Sequence, residues 1–189
     1  AERELNKLGH EHVKTLRGVV KTESFFKIPT KHKEHLRKKF LIDSNSFVIG
    51  FVFRNQLRKS VPNLMDGFSS FLRDNPDSNA KLLLHTHWGE GWDIVRLIKE
   101  KGIENSRILT TYYCKKCKQY EIKPFSGQEL DCKYCRSKKS QNTTNVQAGV
   151  SENQLNEIYN LMDVYCHPFT SGGQEIPIQE AKLTELVTL

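Results

Sequence analysis

The chain has 189 residues, 37% of them hydrophobic, with a formal net charge of +7, which suits one domain or slightly more around an ordinary core. No apolar run approaches the roughly 18 to 20 residues of a membrane-spanning helix, and AERELNKLGH has no apolar signal core, so a cytoplasmic protein is expected. The charge is uneven. Residues 1–41 carry 11 Lys and Arg against 5 acids and residues 112–140 carry 8 against 3, so two basic segments could meet nucleic acid, anionic lipid or phosphorylated ligands, or simply face solvent.

In chain order, VKTLRGVV and SFFKIP read as short strands or turns leading inward, and KEHLRKKF reads as a basic surface helix with Leu36, Phe40 and Leu41 at helical spacing. His10, His12, His32 and His35 fall into no metal-ligand spacing. SFVIGFVF is a continuous apolar run rich in β-branched and aromatic residues, as a buried parallel strand requires. A cationic loop, RNQLRKS, follows it, and a helix from about Pro62 carries Leu64, Met65, Phe68, Phe71 and Leu72. Strand, cationic loop and helix together place positive charge at the carboxyl edge of a sheet, where ligands of open α/β sheets bind. AKLLLHTHW is a second strand, with His85 and His87 at its end. GEGWDIVRLIKEKGI is a second helix, and SRILTT a short third strand. Such alternation predicts a parallel sheet with right-handed crossovers.

The alternation then breaks. Cys114, Cys117, Cys132 and Cys135 form two C-x-x-C pairs separated by 14 residues. Each pair makes a knuckle that offers two thiolates to one ion, and the intervening segment is long enough to fold back and complete a tetrahedral Zn²⁺ site. Four thiolates leave no open position for water, so the zinc should be structural. Cys166 reads as a small buried hydrophobe. The earlier grammar resumes at Ser151, which caps a helix with Gln154 at the capping-box position and Leu155, Ile158, Tyr159 and Met162 as its stripe. DVYCHPF is the next strand. Thr170, Ser171, Gly172 and Gly173 then punctuate the chain, and Pro177 opens a helix with Ile178, Ala181 and Leu186 facing inward. Strand, glycine turn and helix N-terminus make an anion site, since free N–H groups and the positive end of the helix dipole meet there.

The stretch HPFTSGGQEIPIQEA resembles the donor-binding signature of the retaining, nucleotide-sugar-dependent glycosyltransferases of the GT-B fold (group 1, family 4 type). Their pattern is two glutamates eight apart around a Gly-aromatic-Gly-aliphatic-Pro core. Pro168, Gly173, Ile176, Pro177, Glu180 and Ala181 are in register with it. The resemblance implies that Glu180 holds the donor ribose and that the turn of Gly172, Gly173, Gln174, Glu175 and Ile176 receives the diphosphate. The chain departs from the pattern twice, with Gly172 at the first glutamate and Glu175 at the second core glycine. Arg54 and Lys59 match the family's Arg and Lys, five residues apart, that clamp the donor diphosphate and stabilise it as it leaves; Arg58 is a nearby substitute. Gly149, Val150, Tyr159, Asp163 and Val164 also fit.

The resemblance implies an α/β fold: a Rossmann-like parallel sheet with helices on both faces, one lobe of a GT-B enzyme, with a zinc-ribbon insertion. The expected division is a basic lead-in over residues 1–41, a C-terminally incomplete donor-binding lobe over 42–111 and 147–189, and the ribbon over 112–146. The chain would then be part of a larger enzyme, inactive without an N-terminal acceptor lobe. Its partner would be a nucleoside diphosphate sugar, and no catalytic metal is expected. The basic ribbon could also touch an anionic membrane surface, giving a membrane-peripheral protein, or an acidic partner. The competing reading is a nucleic-acid-binding or protein-docking module in which Tyr112, Tyr113, Tyr120, Phe125 and Tyr134 flank the basic ribbon.

Overall fold

The computed structural model describes residues 2–14, 20–145 and 147–189. Most of VKTLRGVV lies outside the described residues. After the short helix α1 (Glu2–Lys7), the elements are α2 (Thr30–Lys39), β1 (Phe47–Val52), α3 (Val61–Asp74), β2 (Ala80–His85), α4 (Ile94–Glu100), β3 (Ile108–Cys114), β4 (Tyr120–Pro124), β5 (Gln141–Thr143), α5 (Glu152–Leu161), β6 (Val164–Tyr165), α6 (Ile176–Leu183) and β7 (Val187–Thr188). One sheet joins all the strands, in the order β4-β3-β2-β1-β6-β7, with β5 also on β3. The five strands from β3 to β7 along that order are mutually parallel, while β4 and β5 run antiparallel to β3. No described helix is long and apolar enough to cross a membrane.

The chain winds outward from β1 to β2 and β3, then returns across β1 to form β6 and β7. The reversal falls between β1 and β6, whose carboxyl ends form the topological switch point at which open α/β sheets take ligands. Burial explains the strand sequences. Leu82, Leu83 and Leu84 of β2 are all buried, as expected for a central strand covered on both faces. Gly50 gives β1 room for Met162, whose Sδ would lie 2.0 Å from a Cβ at that position.

Three expectations change. The basic helix α2 is not simply a surface helix. Arg37 is buried and donates to Asp163 at 2.7 Å and to the Leu161 carbonyl at 2.9 Å, while Lys33 donates to Asp163 at 2.8 Å. Leu41, placed on the apolar stripe by its spacing, turns out at positive φ and is 94% exposed. Of the two readings of SFFKIP, short strand or turn leading inward, the strand is not formed: Asn156 and Asn160 of α5 accept from the Phe26 and Ile28 amides, each at 3.0 Å, in place of a strand partner.

The cysteine segment is also less separate than expected. β3 runs unbroken from Ile108 to Cys114, all of it buried, and β4 pairs with it from Leu109 to Tyr113. The segment therefore extends the main sheet as its antiparallel edge. In contrast, DVYCHPF yields only the two-residue β6, and Cys166 is half-buried.

Candidate functional site

Two loops meet at the switch point. The first leaves β1 through Arg54, makes a single 3₁₀ turn at Leu57–Lys59 and enters α3 through Ser60, at φ 47°. The second leaves β6 through His167 and reaches α6 through Glu175. They are pinned together, since the Thr170 amide donates to the Arg58 carbonyl at 2.9 Å and the Arg58 guanidinium donates to the Ser171 carbonyl at 3.0 Å.

Beneath this contact lies a charged cluster that sequence reasoning did not assemble. Glu175 pairs with Lys59 at 2.5 Å through Oε2 and with Arg58 at 3.1 Å through Oε1. Lys59 is only 4% exposed, and its Nζ also lies 3.3 Å from His167 Nε2. Tyr165 donates its hydroxyl to the Val52 carbonyl at 3.1 Å, so the hydroxyl oxygen is left to accept from His167 Nδ1 at 2.7 Å. His167 Nε2 thus faces both the Lys59 ammonium at 3.3 Å and the Glu175 carboxylate at 3.2 Å. Burial and the Lys59 charge lower His167, which keeps it neutral. Burial would raise Glu175, but the Lys59 bond and charge and the Arg58 bond outweigh it and hold the carboxyl below its ordinary range.

The other expected residues divide. Gly172, Gly173 and Gln174 are exposed on the second loop, and Ile176 is 38% exposed at the first turn of α6. Gly172 has a steric reason to be glycine: a Cβ there would lie 2.1 Å from Glu175 Oε1. Glu180 is half-buried on α6 and accepts from the Tyr159 hydroxyl at 2.7 Å. Burial raises its carboxyl, and the Tyr159 bond only partly offsets this.

Arg54 faces elsewhere, toward Glu90 at 3.2 Å. Both line a cavity of about 240 Å³ together with His85, Thr86, His87 and Val150. Asn55 holds this wall: its amide donates to the Glu90 and Trp92 carbonyls and accepts from the Trp92 amide at 3.1 Å. Gly91, at φ +64°, permits that approach, because a Cβ would sit 2.2 Å from the Asn55 carbonyl oxygen. Burial lowers His85 to about 4, so its ring is neutral, and Nδ1 pairs with Thr111 Oγ1 at 2.9 Å. Thr86 is 2% exposed and its Oγ1 has no partner among the described residues. A buried hydroxyl left unpaired is costly unless a ligand or water completes it.

The four cysteines come together as their spacing predicts, with all four sulfurs within 4.8 Å of one another. The Cys114–Cys135 and Cys117–Cys132 sulfur pairs are 3.7 and 3.6 Å apart. A tetrahedral ion with metal–sulfur bonds of about 2.3 Å would set them about 3.8 Å apart, so the donor set fits Zn²⁺. The two knuckles share one backbone design. The Lys118 amide donates to Cys114 O and the Arg136 amide to Cys132 O, at 3.0 and 2.8 Å, and Lys118 and Arg136 both take positive φ.

No protein-family model matches the chain, and no curated protein sequence matches it either. Solved structures do. One is the C-terminal domain of a glycosyl transferase group 1 family protein, LpcC, from Francisella tularensis, at 12% identity and TM-score 0.55, with 90% of this chain and 69% of that one covered. WaaG, a glycosyltransferase involved in lipopolysaccharide biosynthesis, is similar at 16% identity and TM-score 0.58 over 98% of this chain. Sucrose-phosphate synthase from Thermosynechococcus elongatus is similar at 12% identity and TM-score 0.60 over 99% of this chain. The chain spans 40% and 37% of the length of the latter two. At such identities the likeness is one of fold: the chain has the α/β fold of these domains, that of one GT-B lobe, and carries a four-cysteine cluster able to hold a metal.

Proposed function

We propose that this chain is the donor-binding part of a retaining glycosyltransferase that takes its sugar from a nucleoside diphosphate. The supporting observation is the pinning of the Arg58–Lys59 loop to the 170–175 loop at the switch point, beside a cavity with an unpartnered buried hydroxyl. Fixed cations at that edge stabilise the charge that grows on a departing diphosphate without reorganising as it forms. Lys59 and Arg58 supply them, with Arg54 at the cavity wall. Backbone N–H groups of the Gly172–Ile176 turn add donors, and Glu180 takes the ribose hydroxyls. A second lobe brings the acceptor, because transfer requires both reactants in one closed cleft. In this reading the four cysteines bind one Zn²⁺, which crosslinks the sheet edge and takes no part in the chemistry.

Calorimetric titration with uridine, guanosine and adenosine diphosphates, alongside a single-stranded oligonucleotide across a range of salt, tests the proposal. One diphosphate should bind with weak salt dependence. Binding of the oligonucleotide alone, with a steep salt slope, would instead mark a nucleic-acid module.

A further inference from the structure

Glu175 stands where an incoming anion would be expected. Both of its oxygens are engaged by cations, Oε1 by Arg58 at 3.1 Å and Oε2 by Lys59 at 2.5 Å, as the oxygens of a bound phosphate would be. Lys59 is 4% exposed, and its other polar neighbour is the neutral His167. A ligand therefore cannot reach this ammonium while the carboxylate remains. The carboxylate also fills the space a side chain at position 172 would need, with Oε1 2.1 Å from the site of a Gly172 Cβ. Glycine at 172 and glutamate at 175 are thus one coupled feature: removing the side chain at one position makes room for the carboxylate of the other. Beside this packed cluster Gly173 faces open space, since a Cβ there would meet nothing within 4 Å.

We propose that the Glu175 carboxylate is an internal anion seated in the phosphate place of the site, and that a ligand phosphate binds by exchanging with it. The inference rests on the reading of the switch point as a phosphate site. Exchange keeps Lys59 paired at every stage, which avoids leaving a buried cation without a counter-charge. It also weakens every phosphate ligand by the free energy of the internal pair, so occupancy requires a ligand with further contacts in the neighbouring cavity.

The test titrates the intact chain and two variants, Glu175→Gln and Gly172→Ala, with inorganic pyrophosphate and with the nucleoside diphosphate that binds best. Glu175→Gln keeps the shape and removes the competing charge, so pyrophosphate should bind about tenfold to a hundredfold more tightly. Gly172→Ala expels the carboxylate without neutralising it and should tighten pyrophosphate by a smaller factor. It also serves as a second variant if Glu175→Gln is unstable, because the atoms that a Cβ at 172 would meet are the ends of the Glu175 and Arg58 side chains and not backbone. A rise in Tm with pyrophosphate that is larger in the variants than in the parent supports exchange. Equal or weaker pyrophosphate binding by both variants would overturn the proposal and make Glu175 a residue that positions Lys59. In that case, nucleoside diphosphate binding by the parent would leave the donor-site reading standing. Tight pyrophosphate but no nucleotide binding by the variants would support the exchange and defeat the nucleotide assignment. No binding of either ligand by any of the three proteins would overturn both.

Discussion

The cysteine cluster lies at the antiparallel edge of the sheet and the Lys59–Glu175 cluster at the β1–β6 switch point, and the two are assembled by opposite means. The cysteine knuckles come from two segments of four residues each, and each is closed by a local backbone bond, Lys118 N–H to Cys114 O and Arg136 N–H to Cys132 O. The charged cluster has no local form. Its ion pairs join residues 116 and 117 positions apart in sequence, and the loops that carry them are set side by side by the pairing of β1 with β6. A site of the first kind is fixed by local covalent spacing and a metal. One of the second kind depends on the whole sheet and reports any change in it.

The sharpest break in this comparison comes at the metal. Cys117→Ser should lower zinc from about one equivalent to near zero as read by elemental analysis, with loss of up to about 10 kcal/mol of metal-coupled folding free energy. Since Cys114 ends β3 and pairs with Gln141 of β5, hydrogen exchange should rise in β4 and β5 and leave β1 and β6 protected. Rapid exchange throughout the sheet would show that the two regions are not independent.

Asp163→Asn comes next, because Asp163 links the Lys33 and Arg37 side chains of α2 to the Val48 amide of β1 at 2.7 to 2.9 Å. It should cost about 3 kcal/mol by denaturant titration, as when one partner of a buried pair is removed. Burial would raise Asp163, but the bonds from Lys33, the Val48 amide and Arg37 outweigh it and lower its carboxyl. With the folded value the lower, this contribution to stability is complete above about pH 5 and is lost as the pH falls through the folded value. The asparagine variant should lack that part of the acid transition.

The smallest effect belongs to a helix cap, whose Gln154 side chain also donates to the Lys118 carbonyl of the first knuckle at 2.9 Å. Ser151→Ala removes a capping box in which the side chains of Ser151 and Gln154 each accept from the other residue's backbone amide. It should cost about 1 kcal/mol and leave zinc content and phosphate binding unchanged. A shift in either would mean that α5 couples the two regions.

The same contrast explains what the sequence made legible. The apolar runs of β1 and β2, the cap at Ser151 and the C-x-x-C pairs are short-range patterns, and they appear where spacing placed them. The reach of β3 to Cys114 was also readable in principle, since ILTTYYC is rich in β-formers, but the cysteines drew the boundary too early. Neither the burial of Lys59 nor the inward turn of Arg37 could be read locally. A cation in a loop or on a helix looks solvated until the acid that neutralises it arrives, and Asp163 lies 126 positions from Arg37. Gly172 and Glu175, the two departures from the resembled pattern, are the local signals that the turn is built differently.

Under the proposed donor site, a nucleoside diphosphate meets the switch point and not the basic knuckles. Amide chemical shifts followed by NMR while a nucleoside diphosphate is added test this most directly. Shifts are expected in residues 54–60, 149–151 and 171–176, with the amides of 115–118 and 133–136 unmoved. Shifts confined to the knuckles, with the 171–176 loop silent, would contradict it.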